Sequence, residues 1–356
     1  MAGRISTGLF LPGFISIVDN QEMASLAERI KEKAREIGFE KAGIVPAVPL
    51  DVEKHRLDAW IEQGFHGDMA WMERDPEKRT DPQLLFPGAR SVVVVALNYY
   101  TPHIHDEHAG KGKISRYAWG DDYHDVMREK LNALLEWIKS IEPRAEGKAC
   151  VDTAPMMDKA WASSAGLGWI GKHSNLITRE VGSWVFIGSI ILNIELDHHD
   201  EAVDDHCGTC TACIDACPTG AIVEPYVVDS RKCISYATIE LRTATLPSEI
   251  VPNMQGWIYG CDICQEICPW NRFEEPTDNE RFNPRNSETS IELDQVLAWS
   301  PETYAERFRR SAIKRAKLPG LKRNAAALRE GRSGVDSTVA EGGLAVDVSL
   351  DCDATS

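Results

Sequence analysis

Apolar positions recur with helical spacing soon after the start of the chain. Leu26, Ile30, Ala34 and Ile37 share one face of a helix predicted from Glu22, with Asn20 as its cap and Gly38 as its stop. A strand is predicted over Ala42 to Val45. The segment Ser91 to Tyr99 (SVVVVALNY) is an unbroken, β-branched run between Pro87-Gly88 and Pro102, which suits a strand covered on both faces. Helical spacing returns over Val126 to Ile141, through Met127, Leu131, Leu134, Leu135 and Ile138. A short strand ending near Val151-Asp152, a helix over Met156 to Ser164, a glycine-rich turn and an apolar strand over Trp184 to Ile194 complete an α/β (α+β) pattern. Near Asp197 the pattern breaks into acidic and histidine residues and then a cysteine-rich stretch. Residues 274–290 are polar and turn-rich, and Leu293 to Leu328 is helical again. The expected divisions are an N-terminal extension (1–20), an α/β domain (21–197), a cysteine-rich module (198–275), a short helical region (276–332) and an acidic, disordered tail (333–356).

Composition narrows the function. In 356 residues with 43% hydrophobic content there is no apolar run near the roughly 20 residues a membrane span needs. The stretch Leu9 to Val18 is broken by Pro12 and Gly13, and no secretory cleavage pattern follows, so a reducing, cytoplasmic setting is expected. A net charge of -16 argues against a nucleic-acid partner for the chain as a whole. The segment from Arg307 to Arg332 departs from it, with ten Lys or Arg against one acid, Glu330. A solvated amphipathic helix would interleave acids with these bases; a basic stripe suits contact with phosphates.

Eight of the ten cysteines lie between Cys207 and Cys268. Cys207, Cys210, Cys213 and Cys217-Pro218 spell C-x2-C-x2-C-x3-C-P, the run in which three thiolates hold one [4Fe-4S] cube and the fourth turns to another. A reciprocal set follows in Cys261, Cys264 and Cys268-Pro269, and Cys233 can supply the ligand it lacks. Cluster one is therefore assigned to Cys207, Cys210, Cys213 and Cys268, and cluster two to Cys217, Cys233, Cys261 and Cys264. Paired C-x2-C units also hold structural zinc, but two interlocked runs each closed by Cys-Pro favour iron and sulfur. Cys150 and Cys352 carry no spacing signal. About 200 residues precede this two-cluster, ferredoxin-like module, so its electrons are expected to serve chemistry housed there. Gly166 to Gly171 spells G-x-G-x-x-G, yet a helix precedes it and a strand follows, the reverse of a dinucleotide-binding turn. These glycines are expected to form a backbone loop that lies close to a large planar ligand or packs under Trp169.

The strings HGDMAWMERDPEKRTDPQLLFPGARSVVVVALNYY, ISRYAWGDDYHDVM, VDTAPMMDKAWASSAGLGWIGKHSNLI, CISYATIELR and FRRSAIKRAKLPGLKRNAAAL, with the cysteine runs, closely resemble epoxyqueuosine reductases over about residues 22–330. That resemblance implies reduction of epoxyqueuosine to queuosine at the wobble position of a tRNA anticodon, the last step of queuosine formation. It also implies a base-off cobalamin held between the α/β domain and the cluster module, and relatedness to reductive dehalogenases. The familiar cobalamin-ligand pattern D-x-H-x-x-G is absent, since Asp106 and His108 are followed by Gly110. By the same resemblance Asp152 is the proton donor, and Arg116, Lys172, Ser235, Glu240, Asp262 and Ile263 join it at the cobalamin. A donor aspartate would have to sit desolvated to hold its proton at neutral pH; the string Asp-Thr-Ala-Pro would equally suit a helix N-cap. His124 and His173 are further acid–base candidates. Arg242, Lys314, Arg315, Lys317, Lys322 and Arg323 are the expected tRNA contacts. An unidentified low-potential electron donor and a monomeric protein complete the expectation. A reductive dehalogenase would share the cofactors but calls for a twin-arginine export signal and no basic C-terminal helices, and a plain ferredoxin-type carrier leaves the large first domain unexplained.

Overall fold

A computed structural model describes residues 24–333, without the side chains of residues 332 and 333. The predicted cap Asn20, the 1–20 extension and all of the tail beyond Ser333 lie outside the described residues. The first domain runs α1 (Leu26–Glu36), β1 (Lys41–Pro46), α2 (Asp51–Glu62), α3 (Pro76–Thr80), β2 (Ser91–Asn98), β3 (Lys111–Ile114), α4 (Tyr123–Ile141), β4 (Gly147–Cys150), α5 (Asp158–Ser164), β5 (Trp169–Ile170), β6 (Leu176–Ile177) and β7 (Val185–Leu192). The cysteine-rich module contributes α6 (Ala212–Asp215), β8 (Ile222–Glu224), β9 (Val227–Val228), α7 (Ile234–Ile239), β10 (Trp257–Tyr259) and α8 (Ile263–Glu266). After it come β11 (Ser290–Glu292), α9 (Leu293–Ala298), α10 (Pro301–Arg307) and α11 (Lys317–Ser333).

Helix α1 begins later than its periodicity suggests, because Ser25 and Glu28 form a reciprocal capping box there. The main sheet has the order β1-β2-β7-β4, and every pairing is antiparallel. The alternating elements thus build an α+β sheet rather than parallel crossovers, yet β2 is buried at every residue, as its unbroken apolar run predicts. Its alternate side chains explain why: Val93, Val95 and Leu97 pack with α1 and α4, while Val92, Val94 and Ala96 pack beneath α5.

A second sheet, β10-β3-β11, places one strand from each of the three regions side by side. Its core continues into the C-terminal helices, joining Ile114, Trp119, Ile258 and Tyr259 to Phe308, Leu321 and Leu328. The glycine string is a packing device, as its flanking elements imply. It connects α5 to the β5-β6 hairpin, and a Cβ on Gly168 would lie 2.0 Å from the Ile177 carbonyl oxygen. No helix among the described residues is long and apolar enough to cross a membrane.

Candidate active site and cluster module

Beyond the end of β4 the chain turns sharply, and Asp152 takes a left-handed backbone conformation with φ of 37°. The Thr153 amide closes back on the Val151 carbonyl across that turn. Helix α5 starts at Asp158 with no side-chain cap, so Asp152 is not its N-cap. A non-glycine residue held here costs free energy that the surroundings must offset. The offsetting contacts are specific: Asp152 Oδ2 accepts hydrogen bonds from Tyr123 Oη at 2.8 Å and His124 Nε2 at 2.9 Å. Asp122 Oδ1 lies 2.7 Å from His124 Nδ1, and the Asp122 side chain also caps α4. Tyr123 is fixed by stacking on Phe186 of β7, with ring centroids 4.4 Å apart.

The electrostatics differ from the sequence expectation. Protein packed around Asp152 pushes its pKa up, but His124, Tyr123 and the Arg315 charge outweigh that and leave it below the ordinary value. His124 is driven to about 9, because two carboxylates overcome its own desolvation. The proton expected on a desolvated aspartic acid therefore rests on the imidazole in the ligand-free protein.

Protein surrounds much of Asp152, yet its side chain keeps 60% of its accessible surface, so the carboxyl faces an open recess. Two residues that the motifs did not single out share this wall. Lys159 remains accessible, donates to the Ser174 carbonyl and to Asn175 Oδ1, and is lowered in pKa by the protein around it. Its pKa responds to the charges of Cys264, Asp152, Asp158 and Cys233, so it is coupled both to thiols assigned to cluster two and to the proposed acid. Asp158 is raised to about 8 by burial and by Asp152, and its Oδ1 has no partner. His173 Nε2 is likewise buried and unpartnered, with burial and Lys159 holding its pKa to about 4. Such orphaned polar atoms are costly unless a ligand or water completes them. Only their convergence in three dimensions distinguishes Asp158 and Lys159 from ordinary helix residues.

The eight cysteines of the module influence one another's charge in two overlapping groups. All eight are free thiols. Cys268 is pushed up to about 11 by burial and by Cys207, Cys213 and Cys210, whereas Cys261 is raised by burial and then by Cys233 and Cys264. Cys264 also feels Cys233, Cys213 and Cys217, which places it nearest the junction of the two groups. Backbone amides serve both loops. Those of Tyr236 and Ser235 in α7 favour the Cys233 thiolate, and that of Ile263 in α8 favours Cys261. Clusters four thiolates wide need this support, because negative charge accumulates where water is scarce.

The other expected contacts have identifiable partners. Asp262, 2% exposed, accepts from Ser115 Oγ and, at 2.7 Å, from the Arg116 amide, so it latches the second cluster loop to the end of β3. The Arg116 guanidinium bonds the Thr101 and His103 carbonyls and lies among Tyr100, Trp119 and Trp184. Lys172 donates to the carbonyls of Gly208 and Cys210, bracing the first cluster loop. Glu240 forms a two-pronged pair with Arg315 at 2.7 and 2.8 Å.

Three of the six expected tRNA contacts are engaged inside the protein, Arg315 by its pair with Glu240 and two further arginines by backbone carbonyls. Arg242 donates to the carbonyls of Ile239, Ala316 and Arg315. Arg323 donates to those of Leu241, Thr243 and Ala237, beside fully buried Asn324, which bonds the Thr238 and Ile258 carbonyls. These groups satisfy the carbonyls left open at the C-terminal end of α7. Arg323→Ala should accordingly destabilise the protein, by about 2–4 kcal/mol if two or three acceptors lose their donor. Thermal unfolding checks this, and an unchanged Tm would remove Arg323 from the staple. Lys314, Lys317 and Lys322 pair with nothing among the described residues.

Comparison with known proteins follows the same lines. The family model "Epoxyqueuosine reductase QueG, DUF1730" matches residues 79–153, and "4Fe-4S double cluster binding domain" matches residues 206–271. The chain is 49% identical to an epoxyqueuosine reductase of Synechocystis sp. over 288 residues, covering 80% of this chain and 99% of that one. It is 48% identical to one of Leadbetterella byssophila over 309 residues, covering 86% and 100%. A crystal structure of epoxyqueuosine reductase with an epoxyqueuosine-modified tRNA-Tyr stem loop superposes with a TM-score of 0.79, at 35% identity over 85% of this chain and 80% of that one. The Bacillus subtilis enzyme, with a catalytic aspartate loop swung out of its active site, matches with a TM-score of 0.78 at 34% identity, over 85% and 80%. Architecture, cluster-binding module and near-full-length identity agree, and this chain belongs to the epoxyqueuosine reductase family of oxidoreductases.

Proposed function

We propose that this protein reduces epoxyqueuosine to queuosine at the wobble position of tRNA, as the last step in forming that nucleoside, in a reducing cytoplasm. The observation that carries the reading is that Lys159 is coupled in charge both to Asp152 and to Cys264 and Cys233, thiols assigned to cluster two. The fit to a bulky, amide-rich cofactor rests on two buried polar atoms without a partner, Asp158 Oδ1 and His173 Nε2, both coupled to Lys159. Asp152, Lys159, Asp158 and His173 would hold a cobalamin there in its base-off form, with Ser235 at the start of α7 and Cys261, Asp262 and Ile263 at the start of α8 as further contacts. Bound there, a cobalamin would supply a strongly reducing metal centre for the epoxide.

This chain's own residues supply the rest. Removing the epoxide oxygen as water breaks two C–O bonds, forms one C=C π bond and consumes two electrons and two protons. Two clusters bound by Cys207, Cys210, Cys213 and Cys268 and by Cys217, Cys233, Cys261 and Cys264 bring the electrons singly from a low-potential donor. Asp152 hands protons to the departing oxygen. Its turn places the carboxyl at the recess while Tyr123 and His124 fix its direction.

The tRNA is held by the basic C-terminal region. Lys314, Lys317 and Lys322, which have no internal partner among the described residues, contact phosphates, and Arg315, paired with Glu240, keeps its charge within reach of Asp152. Reversing the three lysines should flatten the slope of log affinity against log salt by about 0.7–0.9 per lost phosphate contact, leaving cluster and corrinoid spectra intact. Filter binding across a salt series is the measurement; an unchanged slope assigns these lysines to solvent. The function itself is tested by nucleoside analysis of tRNA from cells lacking the gene, where epoxyqueuosine should accumulate and a plasmid copy should clear it. Normal queuosine in the deletion strain would refute the assignment.

A further inference from the structure

The Asp122–His124–Asp152 array does more than orient an acid. We propose that His124 is the proton store of the site, recharging Asp152 through the Nε2–Oδ2 hydrogen bond so that both protons reach the substrate oxygen through one carboxyl. The proposal rests on the reading of Asp152 as the proton donor.

Three geometric facts carry it. The imidazole bridges two carboxylates, Asp122 at 2.7 Å and Asp152 at 2.9 Å, so that each ring nitrogen faces an acceptor. Only the doubly protonated ring can donate at both ends. The Asp152 carboxylate is exposed to the recess, whereas the His124 side chain keeps 22% of its surface, enough to take a proton from solvent without facing the substrate squarely. The left-handed turn at Asp152 is tied to α4 through the Tyr123 and His124 bonds, so the acceptor is held toward its store.

The groups around the ring favour the charged form. Asp122 and Asp152 raise its pKa to about 9 against desolvation. Arg128 acts on Asp122, and Arg315 on Asp152, while Tyr117, Tyr123 and Tyr259 remain neutral because burial raises all three. The protons balance as follows. The proton held by His124 moves to Asp152 and then to the epoxide oxygen as the first C–O bond breaks. Solvent reprotonates His124, and the second proton follows the same path to the oxygen as it leaves in water. Both electrons come from the reductant that the reduction already requires.

The sign of the pH dependence follows. The store is filled below its pKa and empties as pH rises through it, so kcat/KM should fall above about pH 9. In His124→Gln an amide can still donate to Asp152 but cannot titrate. That variant should lose about 10- to 100-fold in kcat, keep its affinity for an epoxyqueuosine-containing stem loop, and lack the alkaline limb. Asp122→Asn, which leaves the ring in place with one carboxylate fewer, should move the limb to lower pH. Nitrogen NMR of the cofactor-free protein gives a readout independent of turnover: His124 should titrate well above the ordinary histidine value, and Asp152→Asn should lower it. A His124 that is neutral at pH 7, or an alkaline limb unmoved in both variants, would overturn the proposal. Failure of the underlying reading looks different, because then Asp152→Asn itself would turn over normally.

Discussion

Asp152→Asn is expected to retain its iron, its corrinoid and its affinity for the tRNA stem loop while reducing the epoxide about 10²- to 10⁴-fold more slowly, the range over which a positioned general acid contributes. The amide is close in shape to the carboxyl, and Asn tolerates a left-handed backbone nearly as well, so the turn at φ 37° should survive. What it cannot do is receive a proton from His124 and pass it on. The amide oxygen can still accept from Tyr123 and His124, which keeps α4 and the turn together. The neutral amide also removes one of the two charges that sustain the imidazolium, so proton donor and store fail together. Single-turnover conversion in anaerobic, fully loaded protein measures the loss. Turnover near that of the parent would reduce Asp152 to a structural residue of the turn.

Cys233→Ala should have an effect of similar size by a different route. Cys233 stands outside both cysteine runs, yet its thiol lies beside Cys217, and Cys261 and Cys264 both feel its charge. If it completes cluster two, its removal should lower iron from about eight to about four per chain and abolish reduction, because cluster two is the one whose thiols are coupled through Lys159 to Asp152. Cluster one should persist, since the charges acting on Cys213 and Cys268 come from Cys207, Cys210 and Cys213, the set assigned to it. Iron analysis with electron paramagnetic resonance of the reduced protein distinguishes the outcomes. Equal loss of both clusters, or of neither, would contradict the pairing.

The two predictions draw on different amounts of sequence information. The double-cluster module was legible because [4Fe-4S] loops need thiolates at fixed short spacings, a constraint written directly in chain order. Buried strands were legible for a related reason: Val92 to Leu97 must be apolar on both faces once helices cover the sheet. Strand direction was not, because alternating helices and strands are compatible with antiparallel neighbours when connections are long. The charge state of Asp152 was also hidden. It depends on Tyr123, His124 and Arg315, which approach it from 28 to 163 positions away along the chain, and no local pattern records their convergence. Arg242 and Arg323 illustrate the same limit. In sequence they resemble the lysines beside them, but the fold turns their guanidinium groups onto the end of α7. A basic residue next to an unfilled helix C-terminus has an internal use that composition cannot separate from phosphate binding.

The central claim is that Asp152 and cluster two act on the substrate through a cobalamin held between them. Anaerobic conversion of an epoxyqueuosine-containing anticodon stem loop, by protein with both clusters reconstituted and with or without added cobalamin, tests it most directly. The account predicts queuosine only in the sample given cobalamin. Equal conversion without it, in protein shown to be corrinoid-free, would contradict the account.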